Sequence, residues 1–168
     1  MEGFSWSFTT DHVSVVPGSV ANPSLITSGG NATGNTSDAT DAFTPTASAL
    51  LVVAWTTNAD ENGHTFTNSH TGSGAWAHPT PQVVAGCVHT QARCQMGASP
   101  GSGTVTNTYT GTQSRTSWIV AETTGHDTTT PLSESAIGGA TTGTTLAISV
   151  ASVAAGNLAI SSMGVKGN

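Results

Sequence analysis

The chain has 168 residues, of which only 7% are charged: three basic and nine acidic, for a formal net charge of −6. An ordinary soluble domain is about 25% charged, so Thr, Ser, Asn and Gly must solvate this surface instead. The three basic residues, Arg93, Arg115 and Lys166, provide neither an electrostatic footprint for nucleic acid nor an attraction to an anionic membrane surface, and neither partner is expected.

The length fits a single domain over 1–168, and an apolar content of 36% implies a thin core of the kind found between two packed sheets. No run approaches the roughly 18 apolar residues of a membrane span. The opening Met1-Glu2-Gly3-Phe4 places an acid where a secretory leader is basic, and no long apolar stretch follows. The chain therefore reads as one used without Sec export, or one whose leader was replaced by Met1.

No window reads as a helix, because Thr, Val, Gly and Ser recur throughout and favour strands and turns. Residues 12–16 open the domain as a first strand. Residues 17–41, rich in Gly, Ser, Thr and Asn, read as a long, flexible exposed loop. Within it Asn31-Ala32-Thr33 and Asn35-Thr36-Ser37 are glycosylation acceptors by pattern. Residues 49–55 are a continuous apolar run, the pattern of a strand buried on both faces.

Asn58-Ala59-Asp60-Glu61-Asn62-Gly63 matches the first half of a calcium loop. Asn58, Asp60 and Asn62 set oxygen donors at alternate positions ahead of a glycine, as a hard cation requires. Ser69 stands where the closing Glu belongs, so a simple polar turn is the competing reading. No other cofactor is expected. A short strand follows at 64–67. Trp76 lies after Gly72-Ser73-Gly74 and before Pro79 and Pro81, which makes it the best exposed aromatic. It suits contact with a sugar or, preferably, an anchor at a subunit interface.

Residues 82–88 and 92–96 pair as a hairpin centred on Thr90-Gln91. That hairpin sets Cys87 opposite Cys94, the only two cysteines. A disulfide and a pair of small buried hydrophobes are the two readings. A tight turn makes the pair hydrogen-bonded, a poor site for a bridge, and a longer loop removes the objection. His89 lies between them, but a fourth zinc ligand at normal spacing is missing.

Residues 104–109 alternate, with the threonines on one face and Val105 and Tyr109 on the other. Residues 116–122 are their natural antiparallel partner. If Trp118 and Val120 face inward, so does Glu122, which then needs a partner such as Arg115. The preferred alternative turns Ile119 and Ala121 inward and leaves Glu122 in water. Residues 123–131 form a second loop. Residues 145–150 and 157–162 close the chain around a Gly156-Asn157 turn. About eight to ten short strands with regular turn signals indicate an all-β, antiparallel two-sheet sandwich, jelly-roll-like.

Catalytic patterns are weak. The six histidines include His64, His70 and His78 at irregular spacing, and no Gly-x-Ser-x-Gly elbow occurs. Glu122 and Asp127 are the best-placed acids for a glycosidase pair. Trp55 and Trp118 sit inside apolar runs and belong to the core. An enzyme is not expected.

Three segments carry a resemblance. Pro45-Thr46-Ala47-Ser48-Ala49-Leu50-Leu51-Val52-Val53 is the first. The second is Trp118-Ile119-Val120-Ala121-Glu122-Thr123-Thr124-Gly125-His126-Asp127-Thr128-Thr129-Thr130-Pro131-Leu132. The third is Ala154-Ala155-Gly156-Asn157-Leu158-Ala159-Ile160. In this order they resemble a β-sandwich module of tailed-phage virion structural proteins and secreted bacterial surface proteins, over residues 42–163. Such modules continue for a strand or two beyond the point reached by Asn168. The resemblance therefore implies a longer natural polypeptide, or a strand supplied by a neighbour through β-augmentation. It also implies a setting: a non-enzymatic virion protein, as capsid decoration (cement) or as a fibre or tail component. Its partners would be other virion subunits in a homo-oligomer or array. The alternative is a secreted carbohydrate-binding or adhesion module at a bacterial surface.

Overall fold

The computed structural model describes residues 12–13, 20–58, 63–77, 82–84, 87–129, 131 and 158–160, with backbone alone at 12–13, 82–84 and 87. Among these residues there are eleven strands and no helix. They are β1 (His12–Val13), β2 (Ser24–Asn31), β3 (Asn35–Ala39), β4 (Leu50–Thr57), β5 (His64–Asn68) and β6 (Ser73–Ala77). After them come β7 (Gln82–Val84), β8 (Cys87–Met96), β9 (Val105–Gln113), β10 (Thr116–Thr123) and β11 (Leu158–Ala159).

The larger sheet runs β2-β10-β4-β8, with β6 and β7 end to end along the outer edge of β8. The smaller sheet is β3-β9-β5, and β1 pairs with β11 apart from both. Every ladder is antiparallel. The pairings nest: β2 with β10, β3 with β9, β4 with β8. The chain is thus a long hairpin rolled on itself, an all-β sandwich with jelly-roll order.

β4 explains why the roll closes. All eight of its residues are buried. Leu51, Val53 and Trp55 point between the sheets, where Phe66, Val105 and Tyr109 meet them from the smaller sheet. Ala92, Cys94, Met96, Trp118 and Val120 join from β8 and β10. Trp55 is in register with Trp118, and the two indoles stack at 4.6 Å between centroids and 16° between planes. Leu50 and Val52 point the other way and are covered by Ile160, with Val20 and Leu158 beside it. Each fully buried large apolar side chain contributes about 1.5–3 kcal/mol, so a strand apolar on both faces needs both faces covered.

Two expectations are corrected. Residues 17–41 are not one loop, since β2 and β3 both lie within them. Their polar side chains hide the strands because the stabilisation is tertiary: β2 is laddered onto apolar β10 and β3 onto β9. Nor does the chain reverse at Thr90-Gln91. Residues 87–96 form one strand, in unbroken register with β4 from Val88 to Gln95. The reversal lies between β7 and β8, which pair Val84 with Cys87. The expected strand at 145–150 falls outside the described residues.

The second correction removes the disulfide. Cys87 and Cys94 lie seven positions apart on one extended strand, roughly 23 Å at about 3.3 Å per residue. A bridge needs Cα atoms about 5.5–6 Å apart. Cys94 is free and buried, and its thiol donates to the Gly74 carbonyl at 3.2 Å. Burial pushes that thiol above the usual range. Denaturation without reductant should therefore expose two thiols to an alkylating reagent, and intact mass would record two adducts. A denatured chain that takes up none would contradict the strand assignment.

Candidate functional site

Three sheet-crossing corners meet at one end of the sandwich, where β2 passes to β3, β4 to β5 and β9 to β10. The Asn58 amide donates to the Arg115 carbonyl at 2.9 Å, and the Thr110 amide to Gly63 at 3.1 Å, which tie two of the corners together. Here a polar cluster replaces the apolar core. Asp38, 7% exposed, accepts from Asn31 Nδ2 at 2.7 Å and Asn35 Nδ2 at 3.1 Å through Oδ1. Its Oδ2 accepts from Thr116 Oγ1 at 2.7 Å and the Tyr109 hydroxyl at 3.0 Å. The Tyr109 oxygen in turn accepts from Trp55 Nε1 at 2.8 Å.

This cluster sets two protonation states. Burial pushes the Asp38 carboxyl up, but hydrogen bonds from Thr116, Asn31, Asn35 and Tyr109 outweigh it and hold the group below its ordinary value. Burial, together with the Asp38 charge, drives the Tyr109 phenol far above the usual range. A carboxylate has room for about four donors, and all four places are taken. Asp38 is therefore a clamp on β2, β3, β9 and β10 rather than a free base. The same contacts occupy the amide nitrogens of Asn31 and Asn35, the atoms a glycan would need.

At the opposite end two histidines are buried. His126 Nε2 bonds Gln95 Oε1. The Gln95 amide nitrogen donates to the carbonyls of Ser48 and Met96, each at 3.0 Å, which fixes that oxygen as the acceptor and puts the proton on Nε2. His70 Nε2 lies 3.2 Å from the Phe43 carbonyl, and its ring packs on Phe43 at 4.5 Å. Burial lowers both imidazoles; Asp127 opposes it at His126 and the Phe43 carbonyl at His70.

The pH profile of stability follows from these groups. The folded state favours neutral His70 and His126, so their contribution is complete above the ordinary histidine value of about 6.5 and declines as the pH falls below it. Asp38 adds a further loss below about pH 4, where the unfolded carboxylate binds its proton first. Tyr109 acts in the other direction. Its contribution is complete below about pH 10 and falls as the pH rises through the unfolded phenol value. Thermal midpoints between pH 3 and 11 should trace this dome; a midpoint flat from pH 7 to 3 would contradict the Asp38 assignment.

Among the described residues the sequence-predicted sites do not converge. Asn58 directly follows β4, and its carbonyl accepts from the Ser114 hydroxyl at 3.4 Å; Asp60 and Asn62, the other calcium candidates, lie outside the described residues. Trp76 is half-buried on β6. Its ring sits 5.7 Å from Phe66 and closes the edge of the core, so it is not an open stacking platform. Glu122 shares the face of Trp118 and Val120, against the preferred choice of face, but sits partly exposed at the rim of the sandwich. Its partner is Thr46, whose amide and hydroxyl donate at 2.8 and 2.6 Å. Ile119 and Ala121 are buried too, on the other face, because β10 is a central strand. Among the described residues no three His, Cys, Asp or Glu side chains gather as a metal site.

What the sequence reading missed is an apolar groove of about 590 Å³ beside β2. Its lining includes Leu25, Ile119, Ala121, Leu158 and Ile160, with Ser28 as the one side-chain hydroxyl. Leu25, 64% exposed, stands at its lip and is the one large apolar side chain left exposed among the described residues. Gly29 lets the β2 backbone lie on the core: a Cβ there would come within 2.7 Å of the Trp118 indole. The Leu25-Ile26 pair inside an otherwise polar segment was the available signal.

No family model, curated protein or solved structure matches the chain.

Proposed function

We propose that this chain is a non-enzymatic structural subunit of a tailed-phage virion, a capsid decoration or a fibre or tail component, that works by packing against its neighbours. The observation that carries the reading is a sequence with almost no charge on a sandwich whose sheets, among the described residues, end in unpaired strands. Assembly through such surfaces desolvates few ions, each of which otherwise costs several kcal/mol. Backbone groups at strand edges supply directional bonds in their place. The groups with chemical potential support the same reading, since Asp38, Tyr109 and His126 are buried and hydrogen-bonded. The ordered resemblance of segments 45–53, 118–132 and 154–160 to virion modules supplies the setting.

Quantitative mass spectrometry of purified particles from the source tests it. The expected result is this chain at a fixed, symmetric copy number relative to the major capsid or tail protein. Recovery from culture medium or cell envelope alone, with binding on a glycan array, would overturn it in favour of the secreted adhesion module.

A further inference from the structure

We infer that β2 and the groove beside it form a self-complementary surface through which two copies of this chain pair edge to edge about a two-fold axis. The inference deepens the packing-subunit reading and rests on it for its biological setting.

β2 is the terminal strand of the larger sheet, with no partner beyond it among the described residues. At eight residues it extends for about 26 Å, longer than the usual five or six residues. An edge of this kind presents unpaired N–H and C=O groups, and proteins normally blunt it with Lys, Pro, inward charge or a bulge that twists it away; β2 has only the last. Ser24-Leu25-Ile26-Thr27-Ser28-Gly29-Gly30-Asn31 contains no Lys, Pro or charge. Its single irregularity is a bulge at Ile26, opposite Val120 and Ala121, which turns that side chain toward the core.

The chemistry selects the occupant. An unpaired strand edge asks for another extended strand. The groove asks for an apolar side chain, because no lining residue is charged. A charged partner would gain no counter-ion here. A second copy carries both features on one patch: an exposed Leu25 as the knob and the groove as the hole. A two-fold axis beside β2 satisfies both halves at once, the condition for an isologous interface. The dimer closes on itself through β2 and leaves β3, β5 and the β6–β7 edge for other neighbours.

Sedimentation velocity of the full chain over a range of concentrations tests the proposal, with Leu25→Lys, Ser28→Lys and Thr65→Lys as variants and tryptophan near-ultraviolet circular dichroism as the check on folding. All three positions are exposed, so the core is untouched. The wild type should form a concentration-dependent dimer. Leu25→Lys and Ser28→Lys should each raise its dissociation constant at least about tenfold, since two added cations face each other across the axis. Thr65→Lys, on the β5 edge, should leave it unchanged. A wild-type monomer at every concentration overturns the inference, as does a dimer indifferent to both β2 variants or one lost with Thr65→Lys. A monomer that is nonetheless stoichiometric in particles overturns the pairing and spares the virion reading. A β2 dimer in a chain absent from particles does the reverse.

Discussion

Replacing Asp38 with alanine should lower the stability by about 3–5 kcal/mol, since several donors are left without an acceptor and each buried one costs about 1–3 kcal/mol. Four donors, from Asn31, Asn35, Thr116 and Tyr109, lose their acceptor together. They come from four strands in both sheets, so the damage falls on the joint between the layers. For a chain of this size the thermal midpoint should drop by roughly 6–20 °C. Asp38→Asn separates charge from shape. It keeps one oxygen for the two asparagine donors, and the hydroxyls of Thr116 and Tyr109 can turn to accept from the new amide. The expected cost is less than half that of alanine, and the Asp38-linked loss below about pH 4 should vanish. Denaturant unfolding of the three proteins at pH 7 and pH 3 measures both effects. Equal stabilities at pH 7 would show that the cluster contributes nothing to the joint.

The second large effect is at Trp55. Trp55→Ala should cost about 3–5 kcal/mol, the usual range for removing a buried aromatic. Trp55 is fully buried at the centre of the core and stacks on Trp118, and an aromatic pair adds about 0.5–1.5 kcal/mol beyond its area. Its indole also donates to Tyr109, the inner end of the Asp38 cluster. Trp55→Phe keeps most of the volume and loses that donor, so it isolates the hydrogen bond. In a double-mutant cycle with Tyr109→Phe, the coupling should be about 0.5–1.5 kcal/mol. Strict additivity would mean that the indole and the phenol act independently, and the account of the corner as one network would fail.

The parts of the fold readable in the sequence are those whose stabilisation is local to a strand. The apolar run 49–55 and the alternation at 104–109 carry their burial in their own side chains, and both are strands as expected. β2 and β3 carry almost none of it. Their positions are set by what lies opposite: Gly29 by the Trp118 indole, Asp38 by donors from β2, β3, β9 and β10. Turn residues and polar edge strands have the same composition, so Ser, Thr, Gly and Asn pointed to a loop. Thr90-Gln91 misled for the opposite reason: a hairpin was inferred from two short apolar patches that belong to one strand. Glu122 shows the limit of a two-face argument. Parity placed it on the face of Trp118 and Val120, and because β10 is covered on both sides, burial of Ile119 and Ala121 left Glu122 on that inner face, partly exposed at the rim. The groove was legible only as a pair of apolar residues in a polar segment, since its far wall comes from β10 and β11, remote in sequence.

The stability of the molecule and its proposed work draw on the same economy of charge. The buried carboxylate of Asp38 is held ionised by uncharged donors at the corner joint, and the edge strand β2 carries no charge at all. An exterior built in this way gains little from long-range steering and depends on close backbone contact between surfaces. Cryo-electron microscopy of the intact native particle tests that dependence most directly. The account predicts this sandwich at symmetric positions, its larger sheet continued across β2 into a second copy. Particles without such density, or copies touching only through charged loops with β2 in solvent, would contradict it.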